Sequence, residues 1–332
     1  MEHRLGRVQG RVSEASAPIS EPTRRQRRRA ARALARAGGG AWYPRWFWPS
    51  FALPGTAWLI LFFILPFYTI IAVAFGTIDI FRKPVPIWQP WFWSTKYISS
   101  VWDTLYGPDA FLQPTFIRTF EYVAIASALC LTIGYAVAYY TARHAGRYRT
   151  LILIALISPF WISYLMRMVA WQNLLAGDGY VNQILQKLHV LSAPYPWLEG
   201  KSVTVVLGLV YGYIPYMILP LFGFLDRIQT NLLEAGRDLG ASPSRTFWRV
   251  TLPLSKPAIY AGLVIVSLPM FGDYYTQDLL SGTGKTSMIG NIIDDTVRST
   301  PKGSVLVLIL MILLIVPMIY YLRSTLAAQE SR

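Results

Sequence analysis

One cysteine and three histidines leave this chain little with which to hold a metal or close a disulfide. Cys130 has no second thiol to pair with, and it sits inside an apolar run, where it reads as a small buried residue. His3, His144 and His189 have no metal-ligand spacing. No Gly-x-Ser-x-Gly or Cys–His constellation marks a nucleophile. A phosphate loop is also missing. Gly282-Thr283-Gly284-Lys285-Thr286 looks like the end of one, but the full pattern needs a glycine five residues before Gly284, and that position is Leu279. Charge is scarce as well, at 14% of residues, against about 25% in an ordinary soluble domain. These shortages argue against an enzyme. No catalytic residue, metal or cofactor is expected on the chain itself.

What the chain has in quantity is apolar and aromatic surface. Of its 332 residues 54% are hydrophobic, with 12 Trp, 20 Tyr and 16 Phe, and the mean hydropathy is +0.37. Polytopic membrane proteins gather Trp and Tyr at the water interfaces, so a lipid bilayer is the expected surroundings. The net charge of +14 might suggest nucleic acid, but 11 of the 31 Lys and Arg fall in the first 45 residues. Residues 1–50 read as a basic, mostly disordered tail on the cytoplasmic side. A short basic helix on anionic lipid is the alternative. Residues 51–332 are expected to form the membrane domain.

Six runs can cross a membrane, which takes about 20 apolar residues. They are Phe51 to Phe75, Tyr122 to Thr141, Leu151 to Leu175, Ser202 to Leu225, Pro257 to Gly272 and Gly303 to Leu322. The first is too long for the apolar core of a cleaved signal. Helices are expected because backbone groups in lipid must be satisfied within the segment. With both termini inside, the inner segments carry 21 Lys and Arg and the outer loops carry 8. The positive-inside rule then favours six spans with both termini cytoplasmic.

The segment between spans four and five, within 226–256, carries the most specific pattern. Glu234, Ala235 and Gly236 are followed after three residues by Gly240, and after nine more by Val250, with Leu252 and Pro253 closing the pattern. Gly240 suits a left-handed helix end. Ser242 is a good N-cap with Pro243 at the first helical position, and Pro253 and Pro257 are expected to interrupt the second helix. This stretch resembles the signature of the permeases of binding-protein-dependent ABC importers. Gly236 stands where that signature has a second alanine, and Val250 where it often has isoleucine. The wider likeness runs from about residue 115 to 323 and looks closest to spermidine/putrescine-type permeases, the first of the two in such systems. Within it lie Pro253-Leu254-Ser255-Lys256-Pro257 and Met288-Ile289-Gly290-Asn291. The resemblance implies an all-α polytopic membrane protein with six transmembrane helices and the type I importer permease fold. It further implies polyamine transport across the inner membrane, with a second permease, two ATPase subunits holding ATP and Mg, and an external substrate-binding protein. The elbow Glu234–Pro253 would seat on an ATPase subunit. The same importer class for another small cationic or organic solute is the first alternative, and a membrane receptor or enzyme working without an ATPase is the remote one.

A flexible polycation is matched by carboxylates and by aromatic faces. Span five ends in Asp273, Tyr274, Tyr275 and Asp278. A straight helix from Ala258 carries Asp273 ~22 Å into a ~30 Å core, and an acid at that depth is a functional candidate. Arg167 reaches ~24 Å by the same count from Leu151. Asp273 therefore either meets substrate or pairs with Arg167. Glu121 is a candidate gate residue or the partner of Arg118 three residues before it. Trp171, Tyr211, Tyr213 and Tyr216 either line the path or serve as packing and interface anchors. The ring-rich loop with Trp88, Trp91, Trp93 and Trp102 anchors at the interface or docks the binding protein.

Overall fold

A computed structural model describes residues 47–330, Asp109 apart. The basic tail expected over 1–50 therefore lies outside the described residues up to residue 46. The chain divides into two units, residues 1–63 and 64–332.

In the first unit helix α1 (Phe47–Leu59) contains Pro54 and is followed by a π-turn at Ile60–Ile64. Phe51, Leu53, Trp58 and Phe62 are exposed, as suits a helix with lipid for solvent. The second unit begins with α2 (Leu65–Ala74). A short antiparallel hairpin follows, β1 (Thr77–Ile78) against β2 (Pro84–Val85), pairing Thr77 with Val85 and Ile78 with Pro84. The all-α expectation did not include this hairpin. Asp79 shapes it, its carboxylate accepting the N–H of Phe81 at 2.9 Å and of Lys83 at 2.7 Å. Next come α3 (Lys96–Tyr106), α4 (Leu112–Arg143), α5 (Arg149–Ile157), α6 (Tyr164–Leu175) and α7 (Tyr180–Lys187). They are followed by α8 (Ser202–Leu225), α9 (Thr230–Asp238), α10 (Pro243–Thr246) and α11 (Leu252–Phe271). The last elements are α12 (Tyr275–Leu280), α13 (Ile289–Val297) and α14 (Pro301–Glu330).

Among the described residues five helical runs are long and apolar enough to cross a membrane, and a bent pair, taken as one span, makes six. Their placement follows the sequence expectation except that span two begins earlier, at Leu112, and that spans three and five differ in form. Span three is not one helix. Gly146–Trp161 and Tyr164–Lys187 meet at 89°. The break follows Ser158 and Pro159, where a 3₁₀ turn at Ser158–Trp161 gives way to extended backbone at Ile162 and Ser163. Pro159 has no N–H to carry an α-helical ladder across that point. The straight-helix depth given to Arg167 does not hold in a span with a right-angle bend.

Span five is longer than expected, running without a break over Pro243–Phe271. Pro253 and Pro257 do not interrupt it. The five-residue turn Phe247–Thr251 widens into π geometry, and the Leu252 N–H bonds the Phe247 carbonyl. That register relieves the clash between the Pro253 ring and the carbonyl four residues back. The π-turn at Ile60–Ile64 likewise stands just before Leu65-Pro66. Asp273 lies two residues beyond the end of α11, which is unbroken from Ala258 to Phe271.

The core of the second unit is built on α4, α8 and α11, which pack extensively on one another. Ala126 and Cys130 on α4, Leu209, Met217 and Leu221 on α8, and Val266 and Met270 on α11 are fully buried. The Cys130 thiol faces the Val210 carbonyl at 3.7 Å.

Candidate functional site

The elbow forms as the spacing predicts. Helix α9 ends before Gly240, whose φ is +77°, a left-handed conformation open to glycine at no steric cost. The Gly240 N–H bonds the Arg237 carbonyl at 2.8 Å, and the Ala241 N–H bonds Gly236 at 3.1 Å. Ser242 caps α10 by accepting the Arg245 N–H at 3.3 Å, with Pro243 next in line. Glu234, Ala235 and Pro253 are exposed, Gly236, Val250 and Leu252 half-buried. A Cβ built on Gly236 meets the Thr246 side chain at 3.5 Å, an ordinary contact, so alanine fits there as well. Two apolar side chains stand out from the elbow: Leu239 is 88% exposed and Trp248, which meets the Phe247 ring edge-on, 64%. Its base is fastened to the bundle by residues that sequence reasoning did not single out. The Phe247 ring meets Tyr135 and Tyr139 edge-on, with centroids 5.7 and 5.4 Å away. Arg143 donates to the Leu225 and Ile228 carbonyls at 2.8 and 3.0 Å, closing the end of α8. Phe247 lies inside the signature spacing at a position the pattern leaves free, so nothing in the sequence marks it.

The second site centres on Asp273, which is 6% exposed. Its Oδ2 accepts from the Tyr164 hydroxyl at 2.7 Å, the Thr276 hydroxyl at 2.8 Å and the Tyr213 hydroxyl at 3.0 Å. Its Oδ1 accepts the Thr276 N–H at 3.0 Å. Three of these contacts fall on Oδ2 and one on Oδ1, and the Tyr164 and Thr276 hydroxyls also meet each other at 2.5 Å. Tyr164 reaches the carboxylate because Gly212 on α8 leaves room, since a Cβ there would stand 2.6 Å from the Tyr164 ring. Tyr164 and Thr276 were missed from sequence. Thr276 was findable, because an aspartate followed three residues later by a helical N–H is a cap pattern.

The ion pair between Asp273 and Arg167 does not form. Arg167 is 8% exposed, and its guanidinium carbon lies over Phe160 at 4.2 Å, Tyr164 at 5.4 Å and Tyr211 at 5.8 Å. Cation–π contact replaces the carboxylate. Arg118 does not pair with Glu121 either. It donates to the Ser287 and Gly284 carbonyls at 3.2 and 3.4 Å. Glu121 is exposed, beside Arg118 and Lys285 at a cavity of about 470 Å³.

The rest of the Asp273 segment is tied down from α13. Asn291 donates to the Asp278 carboxylate at 2.6 Å and to the Tyr274 carbonyl at 3.0 Å, and accepts the Met288 N–H at 3.0 Å. The Ile289 N–H reaches the Thr119 hydroxyl on α4 at 2.9 Å. Gly290 lies against backbone, where a Cβ would stand 2.8 Å from the Asp273 carbonyl oxygen and 2.9 Å from Gly272. Gly290→Ala is expected to force that backbone apart and lower stability by about 2 kcal/mol or more. Thermal unfolding of the purified protein in detergent measures this. Tyr274 and Tyr275 stack with centroids 4.1 Å apart. Asp278 is exposed, yet such shielding as it has raises its carboxyl above the ordinary range. The charges of Asp295, Asp294 and Asp273 add to the rise, and the Asn291 bond opposes it. Trp171 meets Tyr211 edge-on at 5.3 Å, and both line an open apolar cavity of about 680 Å³. The structure thus joins Asp273 with Tyr213, and Tyr274 and Tyr275 with Asp278 through Asn291. It sets Trp171 beside the Arg167 cage and Glu121 at a separate opening. The Gly282–Thr286 segment is a closed turn, its Thr286 hydroxyl buried on Ser281 at 2.6 Å.

The folded signature in a multi-span bundle has close counterparts. The model of the binding-protein-dependent transport system inner membrane component matches residues 45–326. The chain belongs to that family. Members similar to it include the spermidine/putrescine transport system permease protein PotB of Haemophilus influenzae. It is 34% identical over 275 residues, 81% of this chain and 90% of the relative. PotB of Escherichia coli K12 is 33% identical over 81% of this chain and 94% of its own length. The inner membrane ABC transporter permease protein YdcU of Escherichia coli K12 is 35% identical over 52% of this chain and 56% of its own length. Two solved structures share the fold. One is a bacterial alginate ABC transporter in complex with alginate pentasaccharide-bound periplasmic protein, at TM-score 0.65 and 14% identity, covering 83% of this chain and 92% of that one. The other is a bacterial ABC transporter involved in the import of alginate, at TM-score 0.60 and 17% identity, covering 89% of this chain and 98% of that one. The chain is a multi-pass membrane protein of this permease family.

Proposed function

We propose that this chain is one of two permeases in an ATP-driven importer that carries polyamines across the inner membrane. It lies with both termini in the cytoplasm. Two ATPase subunits, which hold the ATP and Mg, seat on its elbow, and an external binding protein delivers the cargo. Hydrolysis on the partners drives the pair between inward- and outward-open states. The elbow is the observation that carries this reading. Its signature residues fold into two short helices around Gly240 and leave Leu239 and Trp248 exposed, as a surface that seats in a partner's cleft needs.

The cargo reading draws on the names of the PotB relatives and on the segment after α11. There Tyr274, Tyr275 and Asp278 lie near Asp294 and Asp295, an arrangement of rings and carboxylates suited to ammonium groups. Asp273 is buried and already engaged by three hydroxyls and one backbone N–H, so the part expected of it here is to hold this segment in place.

The test is uptake of labelled spermidine and putrescine into proteoliposomes holding the four-component complex. Saturable, ATP-dependent uptake of either is expected. Asp278→Asn is expected to raise KM with assembly unchanged. Because the Asp278 carboxyl is raised, its negative charge is lost earlier as pH falls than that of an ordinary carboxylate. The wild-type KM should therefore climb on mild acidification, and that slope should flatten in Asp278→Asn. An assembled complex whose ATPase answers only to a non-cationic solute would keep the transporter and discard the cargo.

A further inference from the structure

We propose that Arg167 is a cross-subunit contact, receiving a carboxylate from a helix of the second permease seated in the cavity beside it. The proposal rests on the paired-permease reading above. It begins from an imbalance. Arg167 is nine-tenths buried, and its Nε and Nη1 atoms have no hydrogen-bond partner. Among the described residues it makes no ion pair. Three rings surround the guanidinium. Ring faces attract a cation but accept few of the five N–H groups that a guanidinium carries. A buried cation left in that state is costly, and such groups are normally completed by an acceptor.

Among the described residues no acceptor bonds the guanidinium. Asp273 shares the contact with Tyr164, but its carboxylate is held by three hydroxyls and one backbone N–H instead. Nor does a polyamine cargo serve, since it brings only more positive charge. The acceptor has to come from a neighbour that reaches Tyr211. That ring forms one wall of the Arg167 cage and also lines the open cavity of about 680 Å³, whose other walls include Ile125 and Leu129 on α4 and Val203 and Leu207 on α8. Ile125 and Leu129 are exposed and one turn apart. The cavity is almost wholly apolar. A helix with one apolar face and one carboxylate fits both halves of the feature, laying its apolar face along α4 and α8 and its carboxylate over Tyr211 to Arg167. A phospholipid fills the cavity with acyl chain but offers an acceptor only where its phosphate reaches Arg167.

Two measurements test this together, on the wild-type complex and on Arg167→Met. In the purified chain alone, Arg167→Met removes an uncompensated cation, and its unfolding midpoint is expected to stay level or rise. In the complex the same change strands the partner's carboxylate, and retention of the second permease during detergent wash is expected to fall at least tenfold. Arg167→Lys keeps the charge and is expected to fall between. A photo-reactive benzoyl-phenylalanine in place of Leu207 is expected to cross-link a peptide of the second permease that carries an Asp or Glu. Unchanged retention in Arg167→Met would overturn the proposal, as would cross-links confined to lipid or to this chain. A lowered midpoint in the chain alone would show the cage to be a purely internal support and would overturn it too. A wild-type chain that retains no second permease at all would remove the importer reading along with this one.

Discussion

Replacing Asp273 with alanine is expected to destabilise the protein by on the order of 3 kcal/mol, whatever the cargo. The loss arises because three hydroxyls and one backbone N–H point at the carboxylate from α6, α8 and the start of α12. With Asp273 gone, the Tyr164 and Tyr213 hydroxyls are left in a buried site without their charged acceptor, and each lost charge-assisted bond is worth about 1.5–3 kcal/mol. Asp273→Asn keeps the shape and one acceptor oxygen, so it should recover part of the stability. Thermal unfolding in detergent reads the size of the effect. Uptake in variants matched for folded protein separates the two roles. A structural carboxylate lowers the yield of folded protein and leaves KM of the survivors unchanged. A substrate ligand raises KM in Asp273→Asn without lowering the unfolding midpoint, and that result would contradict the tie described here.

Gly240→Val is expected to lower ATP-driven uptake roughly 5- to 30-fold and to loosen the ATPase from the complex. At φ +77° a side chain with a branched β-carbon meets its own backbone, at a cost of about 1–2 kcal/mol. That corresponds to roughly a tenfold loss of the correctly formed elbow per 1.4 kcal/mol. Gly240→Asn is the control, because asparagine tolerates the left-handed region, and it should retain most of the uptake. Co-purification of the ATPase with each variant separates a misshapen elbow from a misfolded chain. If valine and asparagine behaved alike, the backbone angle would not be what the partner depends on.

The sequence made the elbow readable because its determinants are local. Gly240, Ser242 and Pro243 each impose a backbone angle or a cap within a few residues of themselves. The spans were readable for a similarly simple reason, that long apolar runs leave the backbone few alternatives in lipid. The break in span three was not foreseen, although Ser158-Pro159 stands in the middle of its run. Hydropathy does not register a right-angle bend whose two arms are both apolar. The fate of Arg167 and Asp273 was beyond a linear reading. Which of two buried opposite charges finds the other depends on Tyr164, Tyr211, Tyr213 and Thr276, which come together only once α6, α8 and α12 are packed. Counting residues along straight helices put the two charges at similar depth, and the right-angle bend in span three removes that count for Arg167. Phe247 and Arg143 illustrate a further limit. They fasten the elbow through partners some 80 to 110 positions away in sequence, and nothing near them announces it.

Helix α4 gives the fastening of Phe247 a mechanical meaning. At one end it takes Phe247 on Tyr135 and Tyr139, and Tyr135 meets the Ser255 hydroxyl on α11 at 3.0 Å. At the other end Thr119 holds Ile289, and Arg118 holds the Gly284–Ser287 turn. Thirty-two residues of unbroken helix make a rod of ~48 Å at 1.5 Å per residue. Tyr135 and Thr119 lie 16 residues apart on that rod, ~24 Å, so a tilt of about 5° at the elbow end carries Thr119 through ~2 Å. A shift of that size takes the 2.9 Å bond to Ile289 beyond hydrogen-bonding distance, so a push on the elbow is felt at the distant turn as bonds exchanged rather than bonds stretched.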